Sequence, residues 1–224
     1  MERATIAEDR RLIFSLMLLT FVTGLVDAAS VLGLGRVFTA NMTGNVVFLG
    51  FALGGAPEVS IAASLVALAS FLLGAAGGGR LTRSDPARAL RVVLALEVVL
   101  LLTAAGVAAL ADEHQTVPRG VLLVLLAMPM GLQNAAVRRL AVPDMTTTVL
   151  TLTLTGIAAD SPLAGGTNPR LMRRVSAVVV MLVGAVVGAS LLRRGLAWTI
   201  GVAGVLDAIV LAVILVARMS RRPG

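Results

Sequence analysis

The sequence predicts an all-α polytopic membrane protein with six full transmembrane helices and two short re-entrant or broken helical segments, arranged as a 3+3 inverted repeat. Three observations carry this expectation. Hydrophobic residues make up 58 % of the 224 and charged residues 14 %, well below the charge of a soluble domain. Several apolar runs reach the roughly 20 residues that a helix needs to cross the hydrocarbon core, and none shows the polar face of a soluble helix. The two halves of the chain also resemble each other, residue type for residue type, at a near-constant offset.

Eight hydrophobic elements follow one another, all expected to be helical because lipid forces backbone groups to pair within the segment. They are 12–34, 37–53, 60–81 and 89–111, then, after a polar connection at 112–119, 120–140, 145–159, 175–192 and 196–217. The chain thus reads as one membrane domain over 1–224, with one repeat half at 12–111 and the other at 120–217. Gly24-Leu25-Val26-Asp27-Ala28-Ala29 matches Gly131-Leu132-Gln133-Asn134-Ala135-Ala136, 107 positions on, and Thr39 meets Thr146 at the same offset. Gly74, Gly78, Arg83 and Glu97 match Gly184, Gly188, Arg193 and Asp207 at an offset of 110. Small-residue matches are cheap in such a chain. One intramembrane carboxylate falling on another is not.

The second and sixth elements are short and polar at the start. Thr39, Asn41, Thr43, Gly44 and Asn45 open one, and Thr146, Thr147, Thr148, Thr151, Thr153 and Thr155 run through the other. Gly and β-branched Thr weaken helices, and irregular backbone at membrane depth is tolerated only against protein or a wet cavity. Arginine bias bears on whether they cross. All 19 basic residues are Arg. If all eight elements span, the two sides receive 10 and 9, whereas with the short elements dipping in and returning the cytoplasmic side receives 15 and the outer side 4. The second arrangement follows the positive-inside rule. It leaves three spans per half, so the halves point in opposite directions, with both termini cytoplasmic and two re-entrant segments meeting near the midplane.

The residues able to carry chemistry lie in these segments. Asp27 follows about fifteen apolar residues, where a charge costs at least a few kcal/mol unless paired, hydrated or protonated. Its bland alternative is a carboxyl that glues helices through Thr or backbone. Asn41 and Asn45 would share a helical face and, with Thr39 and Thr43, form a polar cluster suited to a neutral solute, water or an ion; Gln133 and Asn134 are the expected counterparts, and Thr146 and Thr147 are expected to line the same pathway. Thr147, Thr151 and Thr155 also share a face, where interhelical glue is the simpler reading. Glu97 and Asp207 are candidate proton carriers, or else partners of snorkelling arginines. Gly50 and Gly54, Gly74 and Gly78, and Gly184 and Gly188 are small-xxx-small pairs expected at helix contacts. Trp198 reads as an interfacial anchor.

Other functions find little support. Net charge is +7, but the arginines cluster between apolar runs, so nucleic acid is not an expected partner. No Cys is present, which excludes disulfides and thiolate chemistry. His114 sits in the polar connection beside Asp112 and Glu113, as an ordinary solvated histidine would. No catalytic, phosphate-binding or metal-ligand motif occurs, so no enzyme activity, cofactor or metal is expected. The N-terminal run is too long for a signal peptide and is read as a retained first helix.

The stretches GLVDAASVLGLGRVFTANMTGNVVFLG and GLQNAAVRRLAVPDMTTTVLTLTLTG resemble the two signature regions of the YoaK-like family, bacterial membrane proteins of undefined function that also occur in fungi. The resemblance covers nearly the whole chain and implies a multi-span protein of about this size. It supplies no substrate. Arg without Lys suggests a GC-rich bacterium, hence a location in the bacterial plasma membrane. The expected function is a small-solute transporter or channel, possessing a polar site near the midplane and able to couple to protons, with the lipid bilayer, an unknown solute or ion and further copies of itself as partners. The alternative is a non-transporting scaffold or regulatory subunit whose buried polar residues only hold helices together.

Overall fold

The computed structural model describes residues 10–83, 85–110, 116–140, 150–168 and 170–219. Among them the chain is helical, with no strand. The helices are α1 (Arg10–Gly33), α2 (Met42–Leu53), α3 (Ile61–Leu81), α4 (Pro86–Leu110), α5 (Thr116–Leu140), α6 (Leu150–Ala159), α7 (Leu171–Leu191) and α8 (Leu196–Met219), with single 3₁₀ turns at Pro162–Ala164 and Leu192–Arg194. Six of them (all but α2 and α6) are long and apolar enough to cross a membrane. At 1.5 Å per residue, α2 and α6 span only about 18 and 15 Å, roughly half of a hydrocarbon core.

Local chemistry explains most of the boundaries. Ser60 caps α3 by accepting from Ala63 N at 3.2 Å. Asp85 Oδ1 accepts from Arg88 N at 2.9 Å and opens α4. α5 begins at Thr116, inside the stretch expected to be a polar connection. Pro118 falls in its first turn, where a missing N–H removes no helical bond. α1 ends in a tight turn with Gly35 at φ +87° and Arg36 at φ +59°. The stretch from there to Asn41 is not helical, so the second element is helical only from Met42.

Helix pairing is preserved when the two halves are exchanged. α3 packs on α5 as α7 packs on α1; α4 packs on α5 as α8 packs on α1; α2 lies on α3 as α6 lies on α7; and α4 meets its own counterpart α8. The glycines repeat this atom by atom. A Cβ on Gly78 would lie 2.7 Å from the Leu132 carbonyl oxygen and crowd Ala135, while a Cβ on Gly188 would lie 2.7 Å from the Leu25 carbonyl oxygen and crowd Ala28. Likewise Gly74 abuts Met128 where Gly184 abuts Phe21, and Gly131 abuts Phe71 and Ala75 where Gly24 abuts Met181 and Ala185. Without hydrophobic attraction between helices in lipid, such backbone contact is a main source of association.

Two expectations are corrected here. Gly50 and Gly54 are not contact glycines: nothing lies within 4 Å of a Cβ on Gly50, and Gly54 meets only carbonyls of its own helix. The short helices α2 and α6 do not pack on each other among the described residues; each lies on the second long helix of its own half. α2 buries one side chain, Asn45, and turns Val46, Val47, Phe51 and Leu53 outward. A helix so short and so thinly buried sits at the bundle's edge, so only the non-helical stretch before it enters the interior.

Candidate functional site: two polar clusters on the central helices

Thr23, Asp27 and Ser30 lie along one face of α1, at the i, i+4 and i+7 positions that a helix stacks together, and all three are buried. They belong to two different polar clusters at different heights along that face: Thr23 meets Gln133 of the other half, while Asp27 and Ser30 meet Thr39 of the unwound stretch of their own half.

Asp27 holds the unwound stretch. Its Oδ1 accepts the backbone N–H groups of Thr39 at 2.9 Å and Ala40 at 2.8 Å, and its Oδ2 accepts the side-chain amide of Asn41. Thr39 Oγ1 lies 3.5 Å from Oδ1 and 3.4 Å from Ser30 Oγ. A carboxylate fed by two main-chain N–H groups and an amide has its charge matched by fixed dipoles. Asn45 completes the arrangement from α2: Oδ1 accepts Phe38 N at 2.8 Å and Nδ2 donates to Phe38 O at 2.6 Å. Phe38 also stacks on Phe48, ring centroids 5.6 Å apart. Each irregular backbone group treated this way is satisfied by protein, which membrane depth demands.

The second cluster lies where the halves meet. Glu97 of α4, Asp207 of α8 and Gln133 of α5 are fully buried, as is Thr23 of α1. Glu97 and Asp207 occupy corresponding positions in the repeat, on helices that pack against each other. Among the described residues, neither Asp207 oxygen has a donor. The Gln133 amide bridges Glu97 to Thr23. Its Nε2 donates to the two Glu97 oxygens at 2.8 and 3.2 Å, and its other end lies 3.4 Å from Thr23 Oγ1. Thr23 Oγ1 in turn donates to Leu19 O at 2.9 Å.

Apolar layers close this cluster on both sides. One hydrophobic cluster joins Leu16, Leu19, Leu94, Ala136 and Val210; the other joins Val26, Leu101, Leu126, Ile200 and Ala203. Each of the four central helices therefore runs from one apolar layer through a polar position into the other. Four polar side chains at one height between two dry layers are costly there.

The polar residues expected to line one pathway thus divide. Asp27, Thr39 and Asn41 form the first cluster, with Asn45 beside it on the Phe38 backbone. Gln133 belongs to the second. Thr43 is exposed. Asn41 and Asn45 do not share a helical face, because Asn41 precedes the helix as its N-cap. Asn134 donates to Met130 O at 2.8 Å, one turn back on its own helix. Thr146, Thr147, Thr148 and His114 lie outside the described residues. In α6 Thr153 is buried, while Thr151 and Thr155 are exposed and Thr155 Oγ1 donates to Thr151 O at 2.9 Å. Arg174 ties α6 to α7 by donating to Gly156 O at 2.7 Å, Asp160 Oδ2 at 2.6 Å and Asn168 Oδ1 at 3.3 Å. Trp198 is exposed near the start of α8, as an interfacial anchor would be. Sequence reasoning missed Thr23 and Ser30; their spacing from Asp27 was the available signal.

Among the described residues no group of three or more His, Cys, Asp or Glu is arranged to hold a metal ion. No solved structure matches the chain. A curated relative from Bacillus subtilis (strain 168), described as UPF0700 transmembrane protein YoaK, is 37 % identical over 160 residues, which cover 70 % of this chain and 69 % of the relative. With six long apolar helices, the chain is a multi-pass membrane protein. The family model described as "Protein of unknown function (DUF1275)" matches residues 15–213, and the chain belongs to that family.

Proposed function

We propose that this protein is a small-solute transporter coupled to protons through Glu97 and Asp207, with its two halves in opposite orientations and both termini on the cytoplasmic side of a bacterial plasma membrane. One observation carries the reading: corresponding helices of the two halves each deliver a carboxyl to their shared interface, where both are buried between dry layers. Replacing such a pair by apolar residues would ordinarily cost nothing in stability, so its presence asks for a use. Internal repeats that rock about a central site are how many secondary transporters alternate their access. In the conformation described, the site is closed to both sides. Opening would require one apolar layer to part while the other stays packed.

A scaffold or regulatory role is the second reading, and the saturated hydrogen bonds of Asp27 favour it for that residue: this carboxylate acts as a latch rather than a binding group. Proteoliposomes loaded with a pH-sensitive dye separate the two readings. Under a proton gradient, addition of a small polar solute should give solute-dependent proton entry in wild type. Glu97→Gln and Asp207→Asn should each lower it about a hundredfold or more, the scale on which a positioned proton-transfer group acts. Absence of flux across a broad panel of solutes, in protein that remains folded, would return the polar residues to a structural role.

A further inference from the structure

We propose that a groove between α4 and α8 binds one acyl chain of an anionic phospholipid, with the lipid phosphate held by Arg193 and Arg194. The site is separate from the buried carboxyls and does not rest on the transporter reading.

Leu102 lies against Gly204 and Ala105 against Gly201, so the two helices run antiparallel. Toward the start of α8 they leave an open groove of about 510 Å³ between them. Leu102, Ala105 and Ala109 line it from α4, and Trp198, Gly201 and Val205 from α8. Each set recurs at i, i+3 and i+7, the spacing of one helical face. Ala105, Ala109 and Gly201 are too small to close the gap: a Cβ on Gly201 would meet nothing nearer than the Ala105 Cβ at 3.9 Å.

Length and chemistry select the occupant. Seven residue steps on each helix give a groove about 11 Å long, close to the roughly 15 Å depth of one leaflet and well short of the whole hydrocarbon core. That suits a chain entering from one side, whereas a helix of a second copy would need a groove through both leaflets. At the mouth, Arg193 and Arg194 lie in the 3₁₀ turn just before α8, both exposed, and neither forms an ion pair among the described residues. The free N–H groups of the first turn of α8 favour an anion at the same place. Trp198, exposed between the arginines and the groove, stands where an aromatic ring meets the headgroup level. An apolar slot, an interfacial ring and two cations follow one another in the order of a phospholipid's chain, backbone and phosphate, and basic clusters beside membrane helices select anionic headgroups. With both termini cytoplasmic, this is the outer leaflet. Ala105, Val202 and Leu206 also pack on the apolar layer that contains Leu101, Ile200 and Ala203, so a chain in the groove backs that layer.

Native mass spectrometry of the full chain, titrated with phosphatidylglycerol or with phosphatidylcholine of the same chains, reads affinity and stoichiometry together. One phosphatidylglycerol is expected to bind, more tightly than phosphatidylcholine. Arg193→Gln and Arg194→Gln should each weaken phosphatidylglycerol about fivefold and leave phosphatidylcholine unchanged. Gly201→Leu should weaken both lipids about tenfold, the worth of roughly two methylenes kept out of the groove. Ala109→Leu, at an exposed position, should do the same and carries the test if Gly201→Leu does not fold. Equal binding of the two lipids by wild type, or phosphatidylglycerol binding unmoved by the arginine variants or by the groove variants, overturns the site. So does a lipid-free dimer that Ala109→Leu dissolves, which would give the groove to a second copy.

Discussion

Thr39 donates its backbone N–H to the carboxylate of Asp27 at 2.9 Å, and so an intramembrane acid fastens the one irregular stretch that the first half brings into the bundle. Asp27→Ala strands the N–H groups of Thr39 and Ala40 and the Asn41 amide. A loss of about 1–3 kcal/mol is expected for each buried group left without a partner, seen as a large drop in melting temperature in detergent. Asp27→Asn should fall between, because its amide can accept from the backbone but opposes Asn41. If Asp27→Ala melts like wild type, the latch is not what holds this stretch.

The mirrored glycine contacts predict mirrored costs. Gly78→Val and Gly188→Val each drive side-chain atoms into a facing backbone 2.7 Å from the added Cβ, and each should destabilise by about 1–3 kcal/mol or more. Gly50→Ala, in open space on α2, should be neutral or stabilise by up to about 1 kcal/mol. Thermal melts of the three variants check this, and a tolerated Gly188→Val beside a damaging Gly78→Val would break the equivalence of the halves.

Arg174 bonds three acceptors on and after α6 at once. Arg174→Lys should lose most of that link, because all three bonds come from Nη1 at the far end of the guanidinium, which the shorter Lys side chain does not reach. Half-exposed Asp160 contributes little, so the effect is put at about 1–2 kcal/mol, mostly from the Gly156 carbonyl. Faster proteolysis between α6 and α7 in Arg174→Lys is the readout.

The absence of cysteine makes site-directed labelling clean. Single cysteines at Arg83 and Arg138 should both react from the cytoplasmic side, and those at Arg36 and Gly195 from outside. Arg83 and Arg138 on opposite sides would remove the opposed halves.

Replacing both carboxyls at once, Glu97→Met with Asp207→Leu, should leave stability unchanged or raise it by about 1–4 kcal/mol while abolishing proton-coupled flux. Thermal melts beside the dye assay decide. A strongly destabilised double variant would mean the pair is structural.

The sequence alone determined the membrane class, the number of long helices and the correspondence of the halves. Apolar run length and spacing are local properties, and lipid leaves helices as the one way to pair the backbone of an isolated span. The match of Glu97 to Asp207 was legible for the same reason, as a comparison along the chain. Only the tertiary structure decided which polar residues meet. It set Gln133 beside Glu97 rather than Asp27, made Asn41 an N-cap instead of the neighbour of Asn45 on a face, and sent α2 and α6 to the edge. Those outcomes depend on what packs at each height along one face of α1, Gln133 of α5 at Thr23 and the unwound stretch at Asp27, a register set by contacts between helices far apart in sequence, and no periodicity within a single segment encodes it.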